Sequence, residues 1–407
     1  MEKEKIKKPE LLAPAGDWSM LNVAINSGAD SIYFGLKSLS MRAAANNFDV
    51  LEIPKIVAFC KDRNVKAHLT LNTIILENEL KEIDRIIPAA KNAGVEMVIC
   101  WDMSVIQKCT DYKMPFCIST QASVSNSTTV EFYEQLGAKR IVLARECTLD
   151  KIKEIKSKTN IEIEAFVHGA MCIAISGRCF MSHEVFGKSA NRGECLQPCR
   201  REYEIKDMDE KNSLTLGENY VLSPKDLCTI DFIDKLIEAG IDAFKIEGRK
   251  RAPEYIAKSV SAYRKAIDHY FDGTLTKELK QEYFEDLKKV YNRGFSSGFY
   301  FGQPGSESYT KTFGSIASTK KEYVGRVLNY YKKRKIAFVR IEAGSLGVGD
   351  LIYIIGSTTG VIELVLNKIV RDYAELNSID KGSDFTFECE ELVRANDRVY
   401  KVVSVAE

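Results

Sequence analysis

The chain has 407 residues, of which 45% are apolar and 28% charged, with a formal net charge of +1. That length allows a barrel-sized domain of roughly 250 residues and a smaller one of about 100. The balanced charge excludes a global field that would recruit nucleic acid or membrane, so a polyanionic partner needs local patches.

The basic start, MEKEKIKKPE, is followed by no apolar stretch of the kind a secretory leader carries. No window reaches the ~18 uninterrupted apolar residues of a membrane span. The expectation is a cytoplasmic protein whose eleven cysteines are thiols or ligands rather than disulfides.

From residue 10 a short apolar run, a turn and an amphipathic helical segment recur. The runs are ELLAPA (10–15), SIYFGL (31–36), KAHLTLN (66–72), EMVICW (96–101), FCIST (116–120), RIVLA (140–144), IEIEAFVH (161–168) and DAFKIEG (242–248). Glycines at 28, 94, 137 and 240 stand just before strands, where they suit helix C-caps. Eight strands alternating with helices predict an α/β fold of the TIM-type (β/α)8 barrel class over 8–275.

One interval breaks the rhythm. The seventh and eighth strands are separated by a long insertion, 169–228, which carries Cys172, Cys179, Cys195, Cys199 and Cys228. Insertions that follow a barrel strand lie at the C-terminal mouth, where such folds keep their chemistry. Cys60, Cys100, Cys109 and Cys117 sit in or beside apolar runs and read as core. After the eighth strand, 276–320 reads as a helical and glycine-rich connector. From 321 to 407 the hydrophobic period becomes 2, which predicts a small antiparallel β-barrel or sandwich.

No C-x-x-C pair occurs among the clustered cysteines, which disfavours a zinc ribbon or a thioredoxin-type motif. Thiolates on irregular loops suit a [4Fe–4S] cluster, and spacing alone leaves zinc and plain structural thiols open. Polar residues gather at the predicted C-terminal strand ends: Asn72, Gln121, Arg145, His168, Glu247 and Arg249. His168, Glu247 and Gln121 are the candidates for proton handling and catalysis; His68 lies inside a strand and reads as barrel interior. Neither an HExxH zinc motif nor a GxSxG elbow is present.

Glu164, Phe166, Gly169, Ala170, Met171, Cys172, Gly177, Cys179, Met181 and Ser182 together resemble the signature of the U32, or collagenase-like, peptidase family. The opening ELLAPAGDWSMLNVAINSGADSIYFG and the segments NRGECLQPCR, SPKDLC and FKIEGR resemble it too. Several members of that family are iron–sulfur proteins of oxygen-independent hydroxylation, acting on tRNA uridine, on 23S rRNA cytidine or in ubiquinone synthesis. This length and architecture most resemble the prephenate-dependent tRNA uridine hydroxylase branch. The resemblance implies a [4Fe–4S] cluster on Cys172, Cys179, Cys195 and Cys228, with Cys199 competing for the fourth place. It further implies prephenate as co-substrate and tRNA as partner, with a paralogue or electron donor as a further partner; a collagenase-like peptidase and a non-catalytic RNA-binding partner are the alternatives.

A dicarboxylate such as prephenate needs bidentate guanidinium partners, for which Arg145, Arg178, Arg192 and Arg249 are the candidates, with Asn72 beside them. For each arginine alone, a loop ion pair is the bland reading. For RNA, the basic segments KIEGRKR (245–251) and YYKKRK (330–335), with Arg200 and Arg201, are the local patches.

Overall fold

The strand runs are almost continuously apolar because a parallel barrel buries both faces of each strand, one under helices and one in the barrel interior. The computed structural model describes residues 6–41, 45–209, 213–215 and 222–405. Among them, eight parallel strands form the barrel: β1 (Glu10–Ala15), β2 (Ser31–Gly35), β3 (Lys66–Leu71), β4 (Met97–Cys100), β5 (Phe116–Ile118), β6 (Arg140–Val142), β7 (Glu162–Gly169) and β8 (Ala243–Ile246). Each pairs with the next in chain order, and β8 closes the ring by pairing with both β7 and β1.

Local signals set the helix limits. Asp17 caps the helix Trp18–Asn26 by accepting from the Met20 amide. In the helix Leu80–Ala93, Ile83, Ile86, Ile87 and Ala90 repeat at helical spacing and are buried. That helix ends at Gly94, whose φ of 84° is left-handed and suits glycine.

At the N-terminal end of the barrel the interior is charged. Arg140 is 1% exposed. It donates to Glu10 at 2.8 Å, to Glu162 at 2.7 Å and to Glu164 at 3.3 Å. His68, buried on β3, stands 3.5 Å from Glu10, and Lys245 on β8 pairs with Glu164 at 2.8 Å. Against the opposing effect of burial, hydrogen bonding to His68 and Arg140 takes the Glu10 carboxyl far below its usual range.

The stretch after the helix Lys277–Lys288 is more than a tether. Phe295–Ser296 pairs in parallel with a short strand, Asp226–Cys228, which itself runs antiparallel to the end of β7. The buried Tyr300 donates to the Phe166 carbonyl at 2.6 Å, and the buried Arg293 pairs with Asp226 at 3.2 Å. This segment therefore forms part of the barrel wall around β7.

Beyond it, an eight-stranded antiparallel sheet spans Thr319–Ser404. It has a core of its own that includes Val327, Val339, Ile352, Phe385 and Val399. Its strand Gly360–Val365 packs on the helices Trp18–Asn26 and Pro253–Phe271, and Lys321 pairs with Glu254 at 2.8 Å.

Candidate active site at the barrel mouth

The strand-end residues and the cysteine insertion meet at one cavity of about 130 Å³ at the C-terminal mouth of the barrel. Asn72, Gln121, Arg145, Glu247 and Arg249 line it from the strand ends, together with Lys245 from β8. Cys172, Cys179, Cys195 and Cys199 line it from the insertion.

On the strand side, Asn72 donates to Ser119 Oγ at 3.4 Å, and that hydroxyl donates to Gln121. The result is a connected polar row. Arg145 lies over the Phe166 ring at 4.0 Å. Arg249, 4% exposed, donates to Ser40 at 2.6 Å and to Thr70 at 2.9 Å. Lys245 Nζ stands 4.5 Å from the Tyr33 ring centre while paired with Glu164.

The insertion is stapled to the barrel by its own arginines. Arg192 forms a two-pronged ion pair with Glu79 and donates to the Ile74 carbonyl at 2.5 Å. Arg178 donates to the Gln121 carbonyl at 2.8 Å and lies 5.2 Å from the Trp101 ring. Neither lines the cavity, where the expectation put them to hold a substrate carboxylate: both are engaged in holding the loop against the barrel.

His168 also departs from expectation. Its ring is 1% exposed and lies among Tyr255, Tyr263 and Phe295, with centroids 5.5–5.7 Å away, outside the cavity. Burial, with help from Arg251, lowers its pKa to about 3. The β7 alternation turns this side chain outward, against the helix Pro253–Phe271.

The same alternation places Cys228 on the outer side of β7, beside His168. Cys228 pairs in register with His168, is 6% exposed and does not line the cavity. Its Sγ stands 3.9 Å from the Tyr263 hydroxyl, and burial pushes its pKa up to about 12. The fourth thiol at the mouth is Cys199, which lies within electrostatic reach of Cys172, Cys179 and Cys195.

The four thiols surround a space rather than a point: among the described residues, no three His, Cys, Asp or Glu side chains stand close enough to hold one metal ion. Two thiols already accept backbone hydrogen bonds, Cys179 from Met181 N at 3.3 Å and Cys195 from Gln197 N at 3.4 Å. Four soft donors around one cavity, with N–H groups aimed at sulfur, make up the kind of donor set that an iron–sulfur cluster takes.

Residues 16–310 match the family model for peptidase family U32. The chain belongs to that family. It is 41% identical over 401 residues to an uncharacterized protease of Methanocaldococcus jannaschii, covering 96% of this chain and 97% of that one. It is 39% identical over 404 residues to a collagenase of Porphyromonas gingivalis, covering 96% and 97%. It is 40% identical over 331 residues to tRNA hydroxylation protein P1 of Bacillus subtilis, covering 80% and 78%. The U32 members it resembles thus carry both protease and RNA-hydroxylation names.

Two cavity residues escaped sequence reasoning. Lys245 sits mid-strand, where a charge in an apolar run signals an inward-facing ion. Arg200 reads in sequence as part of a basic patch, yet lines the cavity beside Cys199. Of the segment KIEGRKR, Lys245 and Arg249 are buried and Arg251 packs over the Tyr291 ring at 3.9 Å, whereas Lys250 is exposed at the rim of the cavity. In YYKKRK, Tyr331 is exposed, whereas Tyr330 donates to the Cys389 carbonyl at 2.9 Å. Among the described residues, no helix is long and apolar enough to cross a membrane.

Proposed function

We propose that the chain is an RNA hydroxylase that converts the wobble uridine of tRNA to 5-hydroxyuridine, with prephenate as oxygen donor and a [4Fe–4S] cluster at the barrel mouth. One observation carries this reading: four thiols on the insertion face Arg145, Lys245 and Arg249 across a single cavity. The names of the hydroxylating relatives point the same way.

Cys172, Cys179, Cys195 and Cys199 would hold the cluster. When bound, it supplies electron-transfer or Lewis-acid chemistry to the cavity. The chain's own residues do the rest. Arg145 offers a guanidinium to the carboxylates of the donor, with Arg249 and Lys245 as further positive charges in the same wall. The row Asn72, Ser119, Gln121 offers both donors and acceptors, which suits the edge of a uracil ring drawn out of its stack. Glu247 is the carboxylate placed to take a proton within the cavity. The insertion roofs the site and limits its exposure to water.

A peptidase mechanism finds less support. A thiol or hydroxyl nucleophile needs a base within hydrogen-bond reach. No histidine lines the cavity, and His168 is held neutral behind β7.

The test is anaerobic reconstitution of the purified chain with iron and sulfide, incubation with unmodified tRNA and prephenate, and mass spectrometry of the digested nucleosides. Formation of 5-hydroxyuridine that requires prephenate supports the reading. Unchanged uridine from fully loaded protein would overturn it.

A further inference from the structure

Arg200 follows Cys199 directly and lines the cavity. Its Nη1 donates to Ser223 Oγ at 2.9 Å and to the Pro224 carbonyl at 2.6 Å, and its Nη2 donates to the Met171 carbonyl at 2.6 Å. Met171 precedes Cys172. One guanidinium therefore ties together the segment ending at Cys199, the segment carrying Cys172 and the lead into the strand Asp226–Cys228.

All of those acceptors are neutral. The carboxylate that acts on Arg200, Asp226, is already paired with Arg293 at 3.2 Å and Arg251 at 3.5 Å. Arg200 thus keeps a largely uncompensated charge beside the thiols. Its Nε is buried and has no hydrogen-bond partner. A buried N–H without an acceptor is costly, and a buried cation seeks an anion. A cluster held by four thiolates carries net negative charge and offers sulfur acceptors at this wall.

We propose that Arg200 is a positioning residue that locks the Cys172 and Cys199 loops together and donates its Nε–H to a sulfur of the bound cluster, which raises the cluster's reduction potential. The inference rests on the cluster reading above. Lysine can supply the charge here but not the fork and the Nε donor together, so the two contributions separate by substitution.

The experiment uses the full chain, reconstituted anaerobically, as parent, Arg200→Lys and Arg200→Gln. Midpoint potentials come from redox titrations followed by electron paramagnetic resonance, and cluster retention from iron left after a chelator challenge. The expected result is a potential lower in Arg200→Lys than in the parent and lower again in Arg200→Gln, with iron loss several-fold faster in Arg200→Gln. Loaded variants that keep the parent's potential would overturn the inference and leave the proposed function standing. Should Arg200→Gln fail to fold, Arg200→Lys decides alone, since an unshifted potential there contradicts the donor role. A parent chain that takes up no cluster removes the proposed function and this inference with it.

Discussion

The Tyr263 hydroxyl, which donates to the Val167 carbonyl at 2.7 Å, stands 3.9 Å from the Cys228 Sγ. Cys228 is thereby fixed on the outer side of β7, facing the helix Pro253–Phe271 and not the thiol cavity. Cys228→Ala is expected to keep the parent's iron content and to cost about 1–2 kcal/mol of stability through the lost packing. Cys199→Ala is expected to lose most of the iron at little cost in stability. Iron analysis paired with thermal unfolding checks both.

The ion pair between Arg192 and Glu79 is the tie between the insertion and the third βα loop. The Arg192 guanidinium lowers the Glu79 pKa below its ordinary value. A lowered carboxylate contributes its stability above the unfolded pKa, ~4.3, and loses it as pH falls through the folded value. The insertion should therefore loosen first as pH drops below about 4. Arg192→Ala should produce the same loosening at neutral pH. Hydrogen exchange of residues 170–200 reports both; equal protection in parent and variant contradicts the staple.

His168, with its pKa lowered to about 3, remains neutral in the folded chain at working pH. Between that value and an unfolded pKa of ~6.5 the unfolded state binds more protons, so His168 makes stability rise with pH across that window. His168→Phe is expected to leave the pH profile of activity unchanged and to flatten the acid limb of the stability curve. A shifted activity profile would return His168 to the chemistry.

Arg140 holds Glu10, Glu162 and Glu164 together in the barrel interior. Arg140→Met leaves buried carboxylates without their cation and should destabilise the chain by about 3–5 kcal/mol. Denaturant unfolding measures the loss, and a change within error of zero would contradict the network's role.

For the proposed co-substrate, Arg145→Ala should weaken prephenate binding by roughly 10- to 100-fold, in keeping with the ~1.5–3 kcal/mol of a hydrogen bond to a charged group. Arg178→Ala should leave it close to the parent value, because that guanidinium is committed to the Gln121 carbonyl. Calorimetric titration of the loaded protein separates the two; equal losses would contradict the assignment.

The barrel was legible in sequence because a parallel strand buried on both faces writes itself as an apolar run, and glycines such as Gly94 mark where helices stop. The cavity's strand-end residues, Asn72, Gln121, Arg145, Glu247 and Arg249, followed from the rule that barrel mouths lie at C-terminal strand ends. Arg178, Arg192 and Cys228 did not follow. An irregular insertion has no period, so nothing in its spacing tells which arginine faces the cavity and which staples the loop. His168 was misplaced for a smaller reason: one step along β7 turns a side chain from the barrel interior to its outer wall, and the end of the strand shows no alternation to read.

In the proposed function, the four thiols of Cys172, Cys179, Cys195 and Cys199 hold one iron–sulfur cluster. Iron and acid-labile sulfide, counted per chain after anaerobic reconstitution of the parent and of the single alanine variants at Cys172, Cys179, Cys195, Cys199 and Cys228, test it most directly. About four of each are expected in the parent and in Cys228→Ala, with a marked loss in each of the other four. A parent without iron, or a series in which Cys228→Ala loses the cluster and Cys199→Ala keeps it, would contradict it.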